Sequence, residues 1–170
     1  TEGDECLRKV CKPVKSVSLR TRILIEDMFD TMYESGGVGL AAPQIGVLKR
    51  IVVMDTDDNQ HVLINPQILE VSGEQTGYEG CLSIPGKSGI VTRPDYVKVK
   101  ALNERGEEYV LEGEGLLARC ICHECDHLDG ILYSDKAEGG LINNEDLPED
   151  EEEELYEDAY EEFTEEEIHK

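Results

Sequence analysis

Residues 113–128 leave the alternating pattern that precedes them and take up helical spacing, with Leu116, Cys120, His123 and His127 on or near one face. Within that stretch His123-Glu124-Cys125-Asp126-His127 matches H-E-x-x-H. Imidazoles at i and i+4 stand one helical turn apart on the same side, so both reach one metal ion. Glu124 follows the first of them, which sets its carboxylate beside such an ion. Two imidazoles leave the coordination unfinished. A third ligand has to come from elsewhere, and a fourth position left to water makes the site catalytic. The fold must therefore bring a distant segment to this helix. The competing reading of the five letters is a charged helical face with satisfied histidines.

The cysteines offer more than one partner for the histidines. Cys122 and Cys125 form C-x-x-C, but no second C-x-x-C exists, and on a helix both lie off the 120/123/127 face. Cys6, Cys11 and Cys120 read as small buried hydrophobes. Cys81 stands alone in EGCLSIPG between expected strands, beside Gly80 and a turn-forming Pro85, and is a good donor of a third ligand. Its alternative is plain core packing. Asp55, Asp57 and Asn59 resemble the start of a calcium loop. That loop fails, because Gln60 stands where glycine is required and Pro66 where glutamate is.

Upstream, residues 4–16 read as an extended lead-in, with Pro13 against an early helix. Ile25, Met28, Phe29 and Met32 recur at helical spacing, so residues 18–35 are expected to form an amphipathic helix stopped at Gly36 and Gly37. GGVGLAAPQIG is expected to be a loop of small residues. KRIVVMD and HVLINP flank the polar turn DTDDNQ as a hairpin, QILEVSGEQTGYEG continues as strand, and DYVKVKALNERGEEYVLEG is a second hairpin. ILY is expected to be a final short strand. The order predicts an α+β fold. Antiparallel β-sheets pack around a central helix carrying the H-E-x-x-H residues, with an N-terminal helix and an acidic C-terminal helix or tail. Residues 1–148 are expected to be one catalytic domain, and 149–170 an acidic extension.

Charge narrows the function. The chain carries a net charge of −23, and fifteen of its acids against one base lie from Glu145 to Lys170. Such a balance disfavours gripping DNA, RNA or anionic lipid. No run approaches the roughly 18 apolar residues of a membrane span. The chain starts at Thr1, so a short N-terminal piece is expected to precede it. No signal segment opens it, and the expected setting is cytoplasmic with reduced thiols.

Three stretches then fall together. GVGLAAPQ (37–44), EGCLS (79–83) and HECDH (123–127) resemble, in order and spacing, the three motifs of the peptide deformylase family. GDECLRKVCKPV and RPDYVKVKALNERG resemble that family's entry segment and central hairpin, so the likeness covers about residues 3–135. It implies removal of the formyl group from N-formylmethionine on newly made polypeptides, with release of formate. It implies one divalent ion, Fe²⁺ in the cell with Zn²⁺, Ni²⁺ or Co²⁺ able to replace it, held by Cys81, His123 and His127. Glu124 would be the general acid–base, and the Gln44 amide with the Leu82 N–H the oxyanion hole.

In the same scheme an extended peptide would pair with backbone at Val38, Gly39 and Gly80. Val38, Leu116, Cys120 and the stem of Arg119 would line the methionine pocket. Glu79 and Arg93 would pair and steady the Cys81 loop. A monomer is expected, near the ribosome, with the acidic tail disfavouring direct rRNA docking. Departures from the family pattern are Cys122 where glutamine is common, Ser88 and Gly89 where some relatives place a larger residue, and the acidic tail itself. Two rival functions remain at this point. An H-E-x-x-H zinc peptidase needs a downstream third ligand, and His169 is the one histidine after His127. A non-catalytic acidic metal-binding protein needs a closed site.

Overall fold

Ser18 opens the first helix. Its hydroxyl accepts the Thr21 N–H at 3.3 Å, capping α1 (Leu19–Glu34). Ile25, Met28, Phe29 and Met32 are buried as their spacing predicts, and Gly36 ends the run in a left-handed conformation at φ +70°. Ser18→Ala is expected to lower stability by about 1 kcal/mol, read as a shift of the urea midpoint at unchanged slope.

The computed structural model describes residues 5–56 and 58–147. After α1 come β1 (Gly39–Ala41), β2 (Ile51–Thr56), β3 (Asn59–Ser72), β4 (Gln75–Cys81), β5 (Ile84–Arg93), β6 (Tyr96–Leu102) and β7 (Glu108–Glu114). Then follow α2 (Gly115–Leu128) and β8 (Glu138–Asn143). All pairings between these strands are antiparallel. They form a five-stranded sheet in the order β1-β2-β3-β6-β7 and a three-stranded sheet in the order β4-β5-β8. No helix among the described residues is long and apolar enough to cross a membrane.

The five-stranded sheet is covered on both faces, and β2 shows how. Its residues alternate by the period of two that a strand imposes. Ile51 and Val53 join Ile25, Met28 and Met32 of α1, while Val52 and Met54 join Ala118, Ile121 and Leu128 of α2. A strand buried on both sides loses the polar alternation of an exposed one, as IVVM does. A third cluster, Leu7, Ile84, Val91, Leu132 and Tyr133, lies under the three-stranded sheet.

Helix α2 is therefore central, as the α+β reading expects. Its Ile121, Cys122, Cys125 and Leu128 pack on the large sheet, and Cys120, His123, Glu124 and His127 are buried as well. Three local expectations are corrected. The lead-in is not all extended: Glu5–Arg8 is a 3-10 turn that buries Leu7, and Pro13 lies beyond its reach. ILY is not a strand: Tyr133–Asp135 is a 3-10 turn that buries Tyr133, and the last strand of the described residues is Glu138–Asn143. The small-residue segment after α1 is not all loop. It forms β1 and a 3-10 turn, Ala42–Ile45. The acidic extension 149–170 lies outside the described residues.

Candidate metal centre

Cys81 ends β4, and the two-residue turn that follows points its thiol at α2. Its Sγ lies 3.4 Å from His127 Nε2. The ligand atoms of Cys81, His123 and His127 all lie within 4.8 Å of one another. Forty-odd residues of separation are closed by packing β4 against the helix, which spacing within the helix could not show. One thiol and two imidazoles form a donor set of the kind that divalent transition metals take.

The surroundings fit an ion there. Nδ1 of His123 is committed to Glu79 Oε1 at 2.7 Å, which leaves Nε2 to face Cys81. Outer partners of this type fix a ligand's tautomer and orientation. Two buried polar atoms have no hydrogen-bond partner among the described residues: Glu124 Oε2 and His127 Nδ1. Of these, Glu124 Oε2 belongs to a side chain that lines the cleft beside the cluster, where something beyond the chain can meet it.

Protonation is consistent with this chemistry. Burial, aided by His123 and Arg93, lowers the His127 imidazole to about 3, so it stays neutral, as a ligand must. At His123 burial opposes the cation, but hydrogen bonds with Cys81 and Glu79 outweigh it and raise the imidazole to about 10. A divalent ion at Nε2 would take the place of that proton. Burial raises the Glu124 carboxyl to about 7, with His123 and Arg93 acting against the shift and Glu79 with it. A carboxyl poised near neutrality can both accept and return a proton.

Glu79 is the hub beneath the ligands. Arg93 grips it with two bonds of 2.9 Å, Arg119 adds one of 2.6 Å, and His123 one of 2.7 Å. Its burial opposes ionisation, but the bonds from His123 and Arg93 hold its carboxyl well below the usual range. Arg93 continues to Asp126 at 2.6 Å, and Lys136 reaches the same oxygen of Asp126 at 3.1 Å. The pair expected to steady the Cys81 loop thus also clamps a histidine of the ligand set. Glu79→Gln is expected to weaken metal binding by about 10–100-fold, measured by chelator competition. It also leaves buried guanidinium groups short of charge, with a loss of roughly 3–5 kcal/mol in denaturant unfolding.

A cleft of about 1030 Å³ opens over this centre. Cys81, His123 and Glu124 line it, whereas fully buried His127 lies behind. Val38, Gly39, Gln44, Gly80, Leu82, Leu116, Arg119 and Cys120 also line it. Gly39 has to be glycine: a Cβ there would stand 2.8 Å from Cys120 Sγ and 2.9 Å from Glu124 Oε1. Gln44 is held at its carbonyl end by the Ala41 N–H at 2.8 Å. Its Nε2 turns to Ser83 Oγ at 3.1 Å and Cys81 Sγ at 3.6 Å. Leu116 is exposed to the cleft, so core packing does not explain it.

Three features escaped sequence reasoning. Arg119 contributes its guanidinium to Glu79, not just its stem to the cleft wall. Tyr133 stacks on the His123 ring, centroids 5.9 Å apart. Ser83 receives the Gln44 amide. The (i, i−4) spacing of Arg119 to His123 was a usable signal for the first. The other two had none, because they depend on how β4, β5 and the turn after α2 meet.

The sequence profile of the family described as Polypeptide deformylase matches residues 1–140. A protein named Peptide deformylase from Agathobacter rectalis is 61% identical over 140 residues, which is 82% of this chain and 89% of that one. One of the same name from Lachnoclostridium phytofermentans is 56% identical over 89% of this chain and 94% of its own. The crystal structure of peptide deformylase from Thermotoga maritima superposes with a TM-score of 0.78 at 44% identity, covering 80% of this chain and 93% of that one. That from Synechococcus elongatus, a complex with actinonin, superposes with a TM-score of 0.78 at 40% identity, covering 91% and 81%.

Proposed function

Since this chain belongs to the polypeptide deformylase family, we propose how its own residues divide the family's reaction among them. The enzyme is a metal-dependent hydrolase that removes the N-formyl group from nascent peptides. Cys81, His123 and His127 hold the ion, and the convergence of their donor atoms within 4.8 Å, with Glu124 alongside, carries the assignment. When bound, the ion acidifies water and polarises the carbonyl it meets. Fe²⁺ is the ion proposed for the cell, with Zn²⁺, Ni²⁺ or Co²⁺ able to substitute. Metal analysis of anaerobically purified protein tests that choice.

Glu124 takes a proton from the attacking water as oxygen bonds to the formyl carbon. It returns that proton to the amide nitrogen as the C–N bond breaks, releasing formate and a free amine. An unprotonated amine leaves poorly, so the carboxylate must stand beside the ligands and not among them. The Gln44 Nε2, held in place by the Ala41 N–H at its other end, and the Leu82 N–H donate to the carbonyl oxygen as it becomes negative. Loss of one such donor costs on the order of 3 kcal/mol of barrier.

Substrate binding follows from the sheet edges. β1 ends one sheet and β4 ends the other, and residues of both line the cleft. An extended peptide can pair there with backbone at Val38, Gly39 and Gly80 without its side chains being read. Val38, Leu116, Cys120 and the stem of Arg119 enclose the first side chain, methionine. Action near the ribosome, in the cytoplasm and as a monomer completes the proposal.

Formate release from formyl-Met-Ala-Ser by the metal-loaded chain tests it. Internal cleavage of a longer peptide without formate release would establish the peptidase reading instead. That reading is disfavoured because the third member of the cluster is Cys81 and not a downstream histidine or glutamate.

A further inference from the structure

In a chain of net charge −23, residues 6–25 hold six lysines and arginines and no acid. The fold lays this stretch out on the surface. Lys9, Lys12, Lys15, Arg20 and Arg22 are all exposed, and backbone bonds from Lys12 to Leu48 and Arg50 bring exposed Lys49 beside them. No carboxylate of the described residues lies within ion-pair distance of Lys9, Lys12, Lys15, Arg20 or Lys49. This contrasts with Arg8, Arg50 and Arg105, which all have acidic partners.

Two further observations mark the ridge as a surface awaiting cover. Val10, Leu19 and Ile23 stand among these cations at 68, 73 and 50% exposure, three of the most exposed large apolar residues described. The first turn of α1 carries arginine and no acid, the reverse of what a helix N-terminus favours. An anionic occupant with apolar side chains would offset both.

We propose that the occupant is this chain's own acidic segment, residues 149–168. It holds thirteen acids, with Leu155, Phe163 and Ile168 among them, so it matches the ridge in charge and in apolar content. Reach is no obstacle. The 23 residues after Leu147 can span roughly 75 Å when extended, against a radius of gyration of roughly 14 Å for the described part. Single surface ion pairs are weak. Many of them on one tether act at millimolar effective concentration without any partner from solution. The segment thereby keeps nucleic acid and other polyanions off this basic face.

Carbodiimide coupling of the full chain at low concentration, read by peptide mass spectrometry, tests this. The expected result is intrachain amide links from the acids of 149–167 concentrated on Lys9, Lys12, Lys15 and Lys49. They should vanish at 1 M salt, where screening acts within about 3 Å. Lys87 controls for mere proximity, because it pairs with Asn143 beside the root of the segment. Full chain bearing Lys12→Glu and Lys15→Glu should lose the links at Lys9 and Lys49 and expose the segment to a glutamate-specific protease several-fold faster, with deformylation of a short peptide unchanged. Links that fall no more on the ridge than on Lys87, that survive high salt, or that join two chains overturn the proposal. Retention of the full chain on heparin at about 0.15 M salt does so too, since the ridge would then be open to polyanions.

Discussion

Glu124→Gln is expected to lower kcat by about 10²–10⁴-fold while the protein keeps its metal and its fold. The substitution preserves shape. It removes the group proposed to take a proton from water and hand it to the departing nitrogen. Folding should tolerate it, because Glu124 Oε2 has no partner among the described residues to lose. The measurement is formate release alongside metal content and the visible spectrum of the cobalt form. An unchanged spectrum with lost turnover assigns the proton transfer to Glu124. A rate near that of the parent enzyme would remove Glu124 from the mechanism.

Cys81→Ser is expected to weaken metal binding by well over the roughly 10–100-fold typical of an outer partner, because it deletes a proposed ligand atom itself. A serine hydroxyl does not ionise near neutrality and is a poor ligand for the ions in question. The paired control is Cys122→Ser. Cys122 packs against the large sheet, and burial raises its thiol to about 11, so it is neither placed nor ionised to bind a metal. Chelator competition should show near-parent affinity for Cys122→Ser. Tight binding in Cys81→Ser together with loss in Cys122→Ser would mean that the helix carries a metal knuckle of its own.

These expectations show where the sequence was readable. His123, Glu124 and His127 are legible because a helix is a local object: spacing alone puts them on one turn. β2 and α1 are legible for the same reason, through periods of two and 3.6. The partnership of Glu79 with Arg119 and His123 is not local. It exists because β4 lies against α2, and no spacing within either element encodes that contact. ILY misled because β-branched and aromatic residues favour strands in general, whereas burial of Tyr133 against His123 decides the case. β8 was hidden by Gly139 and Gly140, which weaken the strand pattern of EGGLIN. Cys81 was found as an isolated residue in a turn, but only the packing of that turn explains its choice over five other cysteines.

Helix α2 has one further consequence. Its Ile121, Cys122, Cys125 and Leu128 belong to the main core, while His123, Glu124 and His127 on the same fourteen residues are the proposed reactive groups. Ligand-binding loops and active-site lids are drawn from segments that open cheaply, so such parts fray while the body persists. For the residues on α2 no such cheap opening is expected. To open α2 is to open the molecule, and its amides should exchange with solvent at the rate of global unfolding. The helical half of the proposed site and the fold therefore fail together, and any substitution that loosens the core face of α2 loosens His123, Glu124 and His127 with it.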